Sequence, residues 1–209
     1  MEHVRKRLKM CLLVKELASR ERIESLCCVT GQHREMLDSV LDIFGIKPDY
    51  DLNIMTPRQT LSSITSKCLT GMDRAIEELK PDMILVHGDT STTFAGALSA
   101  FYHQVPVGHV EVGLRTYDKY SPFPEEMNRK LVSAIADLYF CPTVDNKENL
   151  IKEGITKGLY VTGNTVIDAL KTTVQENYHF ADDELNHLPY EEKKSFWLHA
   201  IDVKTMANP

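Results

Sequence analysis

The chain has 209 residues, of which 43% are hydrophobic and 26% charged, and its formal net charge is -6. This composition is typical of a globular protein and argues against a disordered chain, and the length allows one complete domain plus the start of another. The charges are spread along the chain without a basic stripe, which argues against nucleic acid as a partner.

The first notable feature along the chain is a basic cluster over residues 5–9, followed by an apolar run over only 11–14. That run is too short for a signal-peptide core or a membrane span, so we expect a cytoplasmic protein with no membrane partner. Five cysteines occur without C-x-x-C spacing. We therefore expect buried thiols, and neither a disulfide framework nor a zinc site.

Short apolar runs then alternate with longer helical patterns. They predict strands over 26–29, 83–86, 107–110, 138–141 and 160–162, with helices over 34–44, 92–103, 126–135, from 146, and over 166–175. Continuously apolar strands are typical of a parallel sheet covered by helices on both faces. The prediction is an α/β, Rossmann-like domain, followed after His179 by a charged stretch that reads as a solvated linker.

Polar side chains follow two of the predicted strands, where ligands bind in open parallel sheets. Asp89 comes after the strand over 83–86, although an aspartate there could equally serve only as a helix cap. In the next strand, alternation puts His109 and Glu111 on one face. A glutamate inside a buried strand is costly unless it is paired or functional, so Glu111 is a candidate site residue.

A third acidic segment begins the predicted helix after residues 121–124, which contain two prolines. Glu125 and Glu126 fall in its first turn, where a carboxylate complements the helix dipole. That explanation accounts for one glutamate but not for three acidic segments at one sheet edge. Two or more carboxyl groups with separated pKa values suit a reaction that removes a proton from one face of a carbon and returns it to the other.

Five longer motifs carry a family resemblance: T-G-Q-H-R-E-M-L-D (30–38), H-G-D-T-S-T-T (87–93), P-V-G-H-V-E-V-G-L-R-T (106–116), S-P-F-P-E-E-M-N-R (121–129) and V-T-G-N-T-V-I-D-A-L (161–170). In order and spacing they resemble the non-hydrolysing UDP-N-acetylglucosamine (UDP-GlcNAc) 2-epimerases, from about residue 10 to residue 194. The resemblance implies the N-terminal domain of a two-domain GT-B fold, with the second domain missing.

The resemblance also implies a reaction and its partners. UDP-GlcNAc is converted to UDP-N-acetylmannosamine (UDP-ManNAc) for cell-surface polysaccharides, by elimination of UDP, a bound 2-acetamidoglucal and re-addition of UDP. The family needs no metal and no nicotinamide cofactor, and its members are usually homodimers.

Site residues carry over by motif. Asp89, Glu111 and Glu125 match the acidic residues that the family needs for catalysis, and they are assigned jointly. The motifs also assign substrate contacts to His87, Arg115, Asn128 and Arg129. A possible allosteric UDP-GlcNAc site would use Gln32 and Arg58, but Glu35 stands where relatives with that site carry Gln.

Both ends of the chain depart from the family. Members begin with an apolar strand and G-T-R-P-E-A-I-K-M, and one codon choice for residues 1–9 spells G-T-R-P-E-A-I-K in another frame. One codon choice for residues 195–209, read in a shifted frame, likewise spells V-I-L-V-T-C-H-R-R-E-N-Y-G-Q-P, which is the family's next strand and H-R-R-E motif. We therefore expect frameshifts at both ends, an epimerase domain over 10–178, and a linker and out-of-family tail over 179–209. Trp197 and His199 would then have no role, and loss of the first strand would leave its neighbours with unpaired edges.

Two alternatives to an active epimerase stay open. The chain could be a catalytically inactive, truncated remnant of the enzyme, because most uridine and diphosphate contacts would lie in the second domain. Another GT-B glycosyltransferase would keep the fold and transfer the sugar to an acceptor. The motifs over 106–116 and 121–129 argue against the glycosyltransferase.

Overall fold

The computed structural model describes residues 2–31, 34–56, 58–173, 179 and 183–187. The chain divides into two compact units, Met1–Thr173 and Val174–Pro209. The predicted domain boundary after residue 178 therefore falls within the second unit, whose described part contains one short helix, α8 (Asp183–Asn186). The tail predicted over 195–209, with Trp197 and His199, lies outside the described residues.

The first unit alternates helices and strands. In chain order they are α1 (Glu2–Ala18), β1 (Cys28–Val29), α2 (Arg34–Phe44), β2 (Tyr50–Asp51), α3 (Leu61–Leu79), β3 (Ile84–His87), α4 (Ser91–Tyr102), β4 (Val107–Val110), α5 (Glu125–Ile135), β5 (Leu138–Cys141), α6 (Val144–Lys152), β6 (Leu159–Val161) and α7 (Thr165–Thr173). The predicted parallel α/β class is confirmed, because each observed strand pair is parallel.

The strands form two sheets among the described residues: β1–β2, and a four-stranded sheet in the order β3-β4-β5-β6. The register of the larger sheet pairs Val86 with His109 and Val110 with Phe140. This sheet brings the ends of β3 and β4 side by side, which positions the candidate site.

The central strand β4 is buried at all four positions. A Cβ at Gly108 would lie 2.5 Å from Leu85 Cδ2, so a larger residue there would displace the Leu85 side chain. Helices α4 and α5 pack on this part of the sheet, and their contacts build the main core. Threonines cap three helices: the side chains of Thr60, Thr90 and Thr143 accept backbone N–H groups at the starts of α3, α4 and α6.

The sequence patterns missed several elements. Helix α3 was not predicted because serine and threonine interrupt its first turns, and β2 has only two residues. All five cysteines are free thiols; Cys11, Cys68 and Cys141 are buried, whereas Cys27 and Cys28 are only half-buried. Within the described ranges, no helix is both long enough and apolar enough to cross a membrane.

Candidate active site

The candidate site lies at the carboxyl ends of β3 and β4 and at the start of α5. Asp89 follows β3, Glu111 follows β4 and Glu125 is the first residue of α5. Gly88, with φ of +71°, turns the chain between β3 and Asp89. Contacts between the strand ends and α5 hold the three acidic segments together at this edge of the sheet.

Glu111 differs from its prediction. It does not lie inside the buried strand; it is the first residue after β4 and adopts a left-handed conformation with φ of +60°. The strict alternation expected for His109 and Glu111 therefore ends at residue 110. This conformation is strained for a residue with a Cβ, and such strain is found preferentially at functional sites.

His87 and Glu111 form a close pair across the two strand ends. The His87 Nε2 atom lies 2.8 Å from Glu111 Oε2. The His87 side chain is 8% exposed, whereas that of Glu111 is 28% exposed. The carboxylate is therefore held from the protein side and remains accessible from the other.

His109 supports the turn that carries Asp89. It is fully buried, and its Nε2 lies 2.7 Å from the Gly88 carbonyl oxygen. A carbonyl oxygen only accepts, so the ring donates from Nε2. Burial is the largest cause that lowers the pKa of His109, to about 4. The ring is therefore neutral at pH 7.

Arg129 joins two buried carboxylates. Its Nε and Nη2 donate to Asp89 Oδ2 at 3.1 and 2.7 Å, and its Nη1 donates to Glu126 Oε2 at 3.1 Å. The side chains of Asp89 and Arg129 are each 10% exposed, and that of Glu126 is completely buried. One buried guanidinium therefore pairs with two carboxylates.

Glu126 is a site residue that the sequence analysis passed over in favour of Glu125. Its two carboxylate oxygens accept the N–H groups of Thr116 and Tyr117 at 3.1 and 3.2 Å. Burial raises its pKa, but these two bonds and Arg129 outweigh burial, and the net pKa lies below the ordinary value. The signal was the spacing of Glu126, Arg129 and Ser133 along one helix face, all of which are buried.

Three of the predicted substrate-binding side chains are engaged within the protein. Arg129 holds Asp89, and Asn128 Nδ2 donates to the Asp89 carbonyl oxygen at 2.9 Å. Arg115 donates to both carboxylate oxygens of Glu153 at 2.9 and 2.8 Å and to Ser133 Oγ at 2.9 Å. These contacts hold Asp89 and the loop after β4 in place. Direct substrate contact by these residues stays a prediction.

Glu125 lies beside a small cavity where three helices begin. The cavity has a volume of about 90 Å³ and is lined by Leu61, Ile64, Thr90, Ser91, Thr92, Pro124 and Glu125. These residues belong to the first turns or caps of α3, α4 and α5. Helix starts favour negative charge. Ligand pockets commonly measure about 300–1,000 Å³, so the described residues alone do not enclose a nucleotide sugar.

The predicted allosteric positions are only partly described. Arg58 is exposed, has φ of +58° and lies in the loop between β2 and α3. Gln32 lies outside the described residues, and Glu35 is in α2. In the described part of the chain, no group of three or more His, Cys, Asp or Glu side chains could hold a metal ion.

Comparison with known proteins agrees with this geometry. The sequence profile of the UDP-N-acetylglucosamine 2-epimerase family matches residues 15–200. The UDP-N-acetylglucosamine 2-epimerase of Bacillus subtilis is 60% identical over 172 residues, which are 82% of this chain and 45% of the relative.

Two solved structures show the same likeness. The S. aureus MnaA–UDP co-structure matches with a TM-score of 0.83 and 57% identity, over 88% of this chain and 49% of that one. The Neisseria meningitidis UDP-GlcNAc 2-epimerase bound to UDP-GlcNAc matches with a TM-score of 0.77 and 53% identity, over 80% and 46%. The chain thus spans about half the length of these relatives.

Proposed function

The chain belongs to the UDP-N-acetylglucosamine 2-epimerase family, and on that premise we propose that it interconverts UDP-GlcNAc and UDP-ManNAc. The observation that carries this proposal is the set of three acidic residues at one sheet edge, each at a separate strand end or helix start. Asp89 and Glu111 have specific cationic or imidazole partners there, and Glu125 borders the cavity.

The proposed reaction proceeds in two steps. A carboxylate removes the proton at C2 while the C1–O bond breaks, so the electron pair forms the C1–C2 double bond and UDP leaves. A carboxylic acid then delivers a proton to the opposite face of C2 while a UDP oxygen bonds to C1. Two proton-carrying groups on opposite faces of the sugar are required.

We assign the proton transfers to Glu111 and Glu125 and a positioning role to Asp89. Asp89 is almost buried and receives two hydrogen bonds from Arg129, which fix its orientation. Glu111 keeps an accessible side, and Glu125 lines the cavity. These two carboxylates are therefore open to a bound sugar, whereas the side chain of Asp89 is enclosed by the protein.

A catalytically inactive protein with the same fold is the second candidate. The small size of the cavity beside Glu125 favours it. Most contacts to uridine and diphosphate would then have to come from elsewhere. Both candidates share the carboxylate constellation and differ only in turnover.

We also propose a cytoplasmic homodimer. Free thiols at all five cysteines fit a reducing compartment. Exposed apolar side chains on the neighbouring helices α4 and α5, namely Phe101, Tyr102 and Leu131, offer a surface for a second copy. Sedimentation-velocity centrifugation tests this: we expect a dimer that Leu131→Lys weakens, and a monomer at all concentrations would contradict it.

Product analysis tests the proposed function. The purified chain is incubated with UDP-GlcNAc, and the nucleotide sugars are separated by anion-exchange chromatography. UDP-ManNAc is the expected product. Consumption of UDP-GlcNAc with transfer of the sugar to an added acceptor would identify a glycosyltransferase, and unchanged UDP-GlcNAc from a folded sample would favour the inactive protein.

A further inference from the structure

His87 is the last residue of β3, and its ring lies against a carboxylate that the proposed reaction uses. Its side chain is 8% exposed, and its Nε2 atom lies 2.8 Å from Glu111 Oε2. The family motifs assign His87 to substrate contact. A ring that is enclosed by the protein and directed at a neighbouring carboxylate is better placed to act on that carboxylate than on a sugar.

The backbone of Glu111 is held on both sides. Its N–H donates to the Phe140 carbonyl oxygen of β5 at 3.0 Å, and the carbonyl oxygen of Val110 accepts the Gly88 N–H at 3.1 Å. Between these bonds Glu111 takes its left-handed conformation, with φ of +60°, which is strained for a residue with a Cβ. With its backbone fixed in this way, the carboxylate moves mainly by rotation of its own side chain.

The His87 Nε2 atom is buried, and within the described residues no acceptor meets it with full hydrogen-bond geometry, although Glu111 Oε2 lies within reach. A buried polar atom that lacks an aligned partner costs free energy. Catalytic contacts are often misaligned in the free protein and tighten when the substrate binds. A rotation of the Glu111 carboxylate would complete this bond without movement of the backbone.

The two groups are complementary in their chemistry. An ionised carboxylate only accepts hydrogen bonds, and an imidazole ring donates from a nitrogen that carries a proton. When the ring holds Oε2, Oε1 is the oxygen left to take a proton on the accessible side of Glu111, whose side chain is 28% exposed. Asp89, at the neighbouring strand end, is held in a similar way by Arg129.

We propose that His87 is a positioning residue: its Nε2–H holds Glu111 Oε2, directs Oε1 towards C2 of the sugar, and makes no contact with the sugar. This inference rests on the proposed function, in which Glu111 transfers the C2 proton. The proton from C2 goes to Oε1, and the ring keeps its own proton throughout. The role replaces the substrate contact that the motif assigns to His87.

Two substitutions separate the hydrogen bond from the ring. His87→Gln keeps an N–H donor near the position of Nε2, whereas His87→Leu removes the donor and keeps an apolar side chain at this buried position. Deuterium exchange at C2 of UDP-GlcNAc gives kcat and KM for each variant of the full chain. His103→Leu, at the end of α4, is the control, and circular dichroism checks that all variants fold.

His87→Leu should lower kcat about 10- to 100-fold with KM unchanged, the effect of losing one hydrogen bond to a charged group in the reaction. His87→Gln should restore most of kcat, and His103→Leu should behave as the unmodified chain does. Equal losses of kcat in His87→Gln and His87→Leu would overturn the proposal, because the ring itself would then be required. A rise in KM with kcat unchanged would also overturn it, since that is the signature of direct substrate contact.

A second measurement does not depend on turnover. The ring N–H resonance of His87 is followed in proton–nitrogen NMR spectra of the isotope-labelled full chain and is assigned by its loss in His87→Leu. It should shift in Glu111→Gln and stay in place in Glu148→Gln, an exposed position on α6. A resonance that does not respond to Glu111→Gln would overturn the proposal. If the unmodified chain exchanges no deuterium, the proposed function fails, and this resonance alone decides whether His87 holds Glu111.

Discussion

Arg129 is the cation that binds both buried carboxylates of the site. It forms ion pairs with both Asp89 and Glu126, which lie away from water. Removal of one partner from a buried ion network leaves carboxylates uncompensated, which costs far more than an exposed pair contributes. The same residue therefore governs both the stability of the first unit and the orientation of Asp89.

Arg129→Gln should lower the free energy of unfolding by about 3 kcal/mol. Urea denaturation followed by circular dichroism measures this change. Lys152→Gln, which removes an exposed cation from α6, is the control and should change stability by less than about 0.5 kcal/mol. An equal, small effect of both substitutions would contradict the network.

His109 gives the protein a stability that depends on pH. Its pKa is lowered to about 4, chiefly by burial, from an ordinary value of 6.5. Between these two values the unfolded chain binds the proton more tightly than the folded chain. The free energy of unfolding should therefore fall as the pH drops from 6.5 to 4, by up to about 3 kcal/mol.

His109→Gln should flatten this pH dependence, because the group that titrates differently is gone. Urea midpoints measured at intervals from pH 7 to pH 4 report the slope. His179→Gln, at an exposed position, should keep the slope of the unmodified chain. If the slope survives in His109→Gln, the buried neutral ring is not its source.

At the residue scale, the sequence predicted the acidic residues but not their partners. Asp89, Glu111 and Glu125 stood out because each follows an apolar run or opens a helix. Glu126 was treated as a dipole-complementing residue, since nothing local distinguishes a buried glutamate from an exposed one. Its burial depends on Thr116 and Tyr117, which the fold brings to it from another loop.

The loop after β4 is fastened to two helices at the element scale. Arg115 bonds Glu153 at the end of α6 and Ser133 on α5, and Gly113 approaches α6 so closely that a Cβ would lie 2.2 Å from the Asn146 carbonyl oxygen. These contacts fix where Glu111 emerges from the sheet.

Glu153→Gln should therefore destabilise the protein by about 2 kcal/mol, because the buried Arg115 guanidinium loses its counter-charge. A double-mutant cycle with Arg115→Met, followed by urea denaturation, measures the coupling. The double variant should be less destabilised than the sum of the single changes. Strict additivity would show that the two side chains do not act as a pair.

The predicted elements also show where pattern reading fails. Continuous apolar runs located β3, β4, β5 and β6 to within about two residues. A parallel strand that is buried on both faces is apolar at successive positions, so the run marks the strand directly. Helix α3 and strand β2 were missed because their positions depend on tertiary packing more than on local preference. Glu111 was predicted inside a strand because a positive φ at a residue other than glycine cannot be recognised from the sequence.

On the scale of the whole molecule, the candidate site occupies one edge of the four-stranded sheet. The carboxylates, the helix starts and the small cavity all lie at the same sheet edge, while the chain spans about half of each compared relative. The family resemblance assigned the site residues from motifs alone, and their roles stay predictions. The separation into two sheets could not be predicted from local patterns, because strand pairing is a long-range property.

Solvent deuterium incorporation at C2 tests the central claim most directly. The full chain is incubated with UDP-GlcNAc in deuterated water and followed by NMR, with Glu148→Gln, an exposed position on α6, as the matched control for Glu111→Gln. We predict exchange that Glu111→Gln abolishes and Glu148→Gln preserves. No exchange from a folded sample, with the Bacillus subtilis relative active beside it, would contradict the claim that these carboxylates carry the C2 proton in this chain.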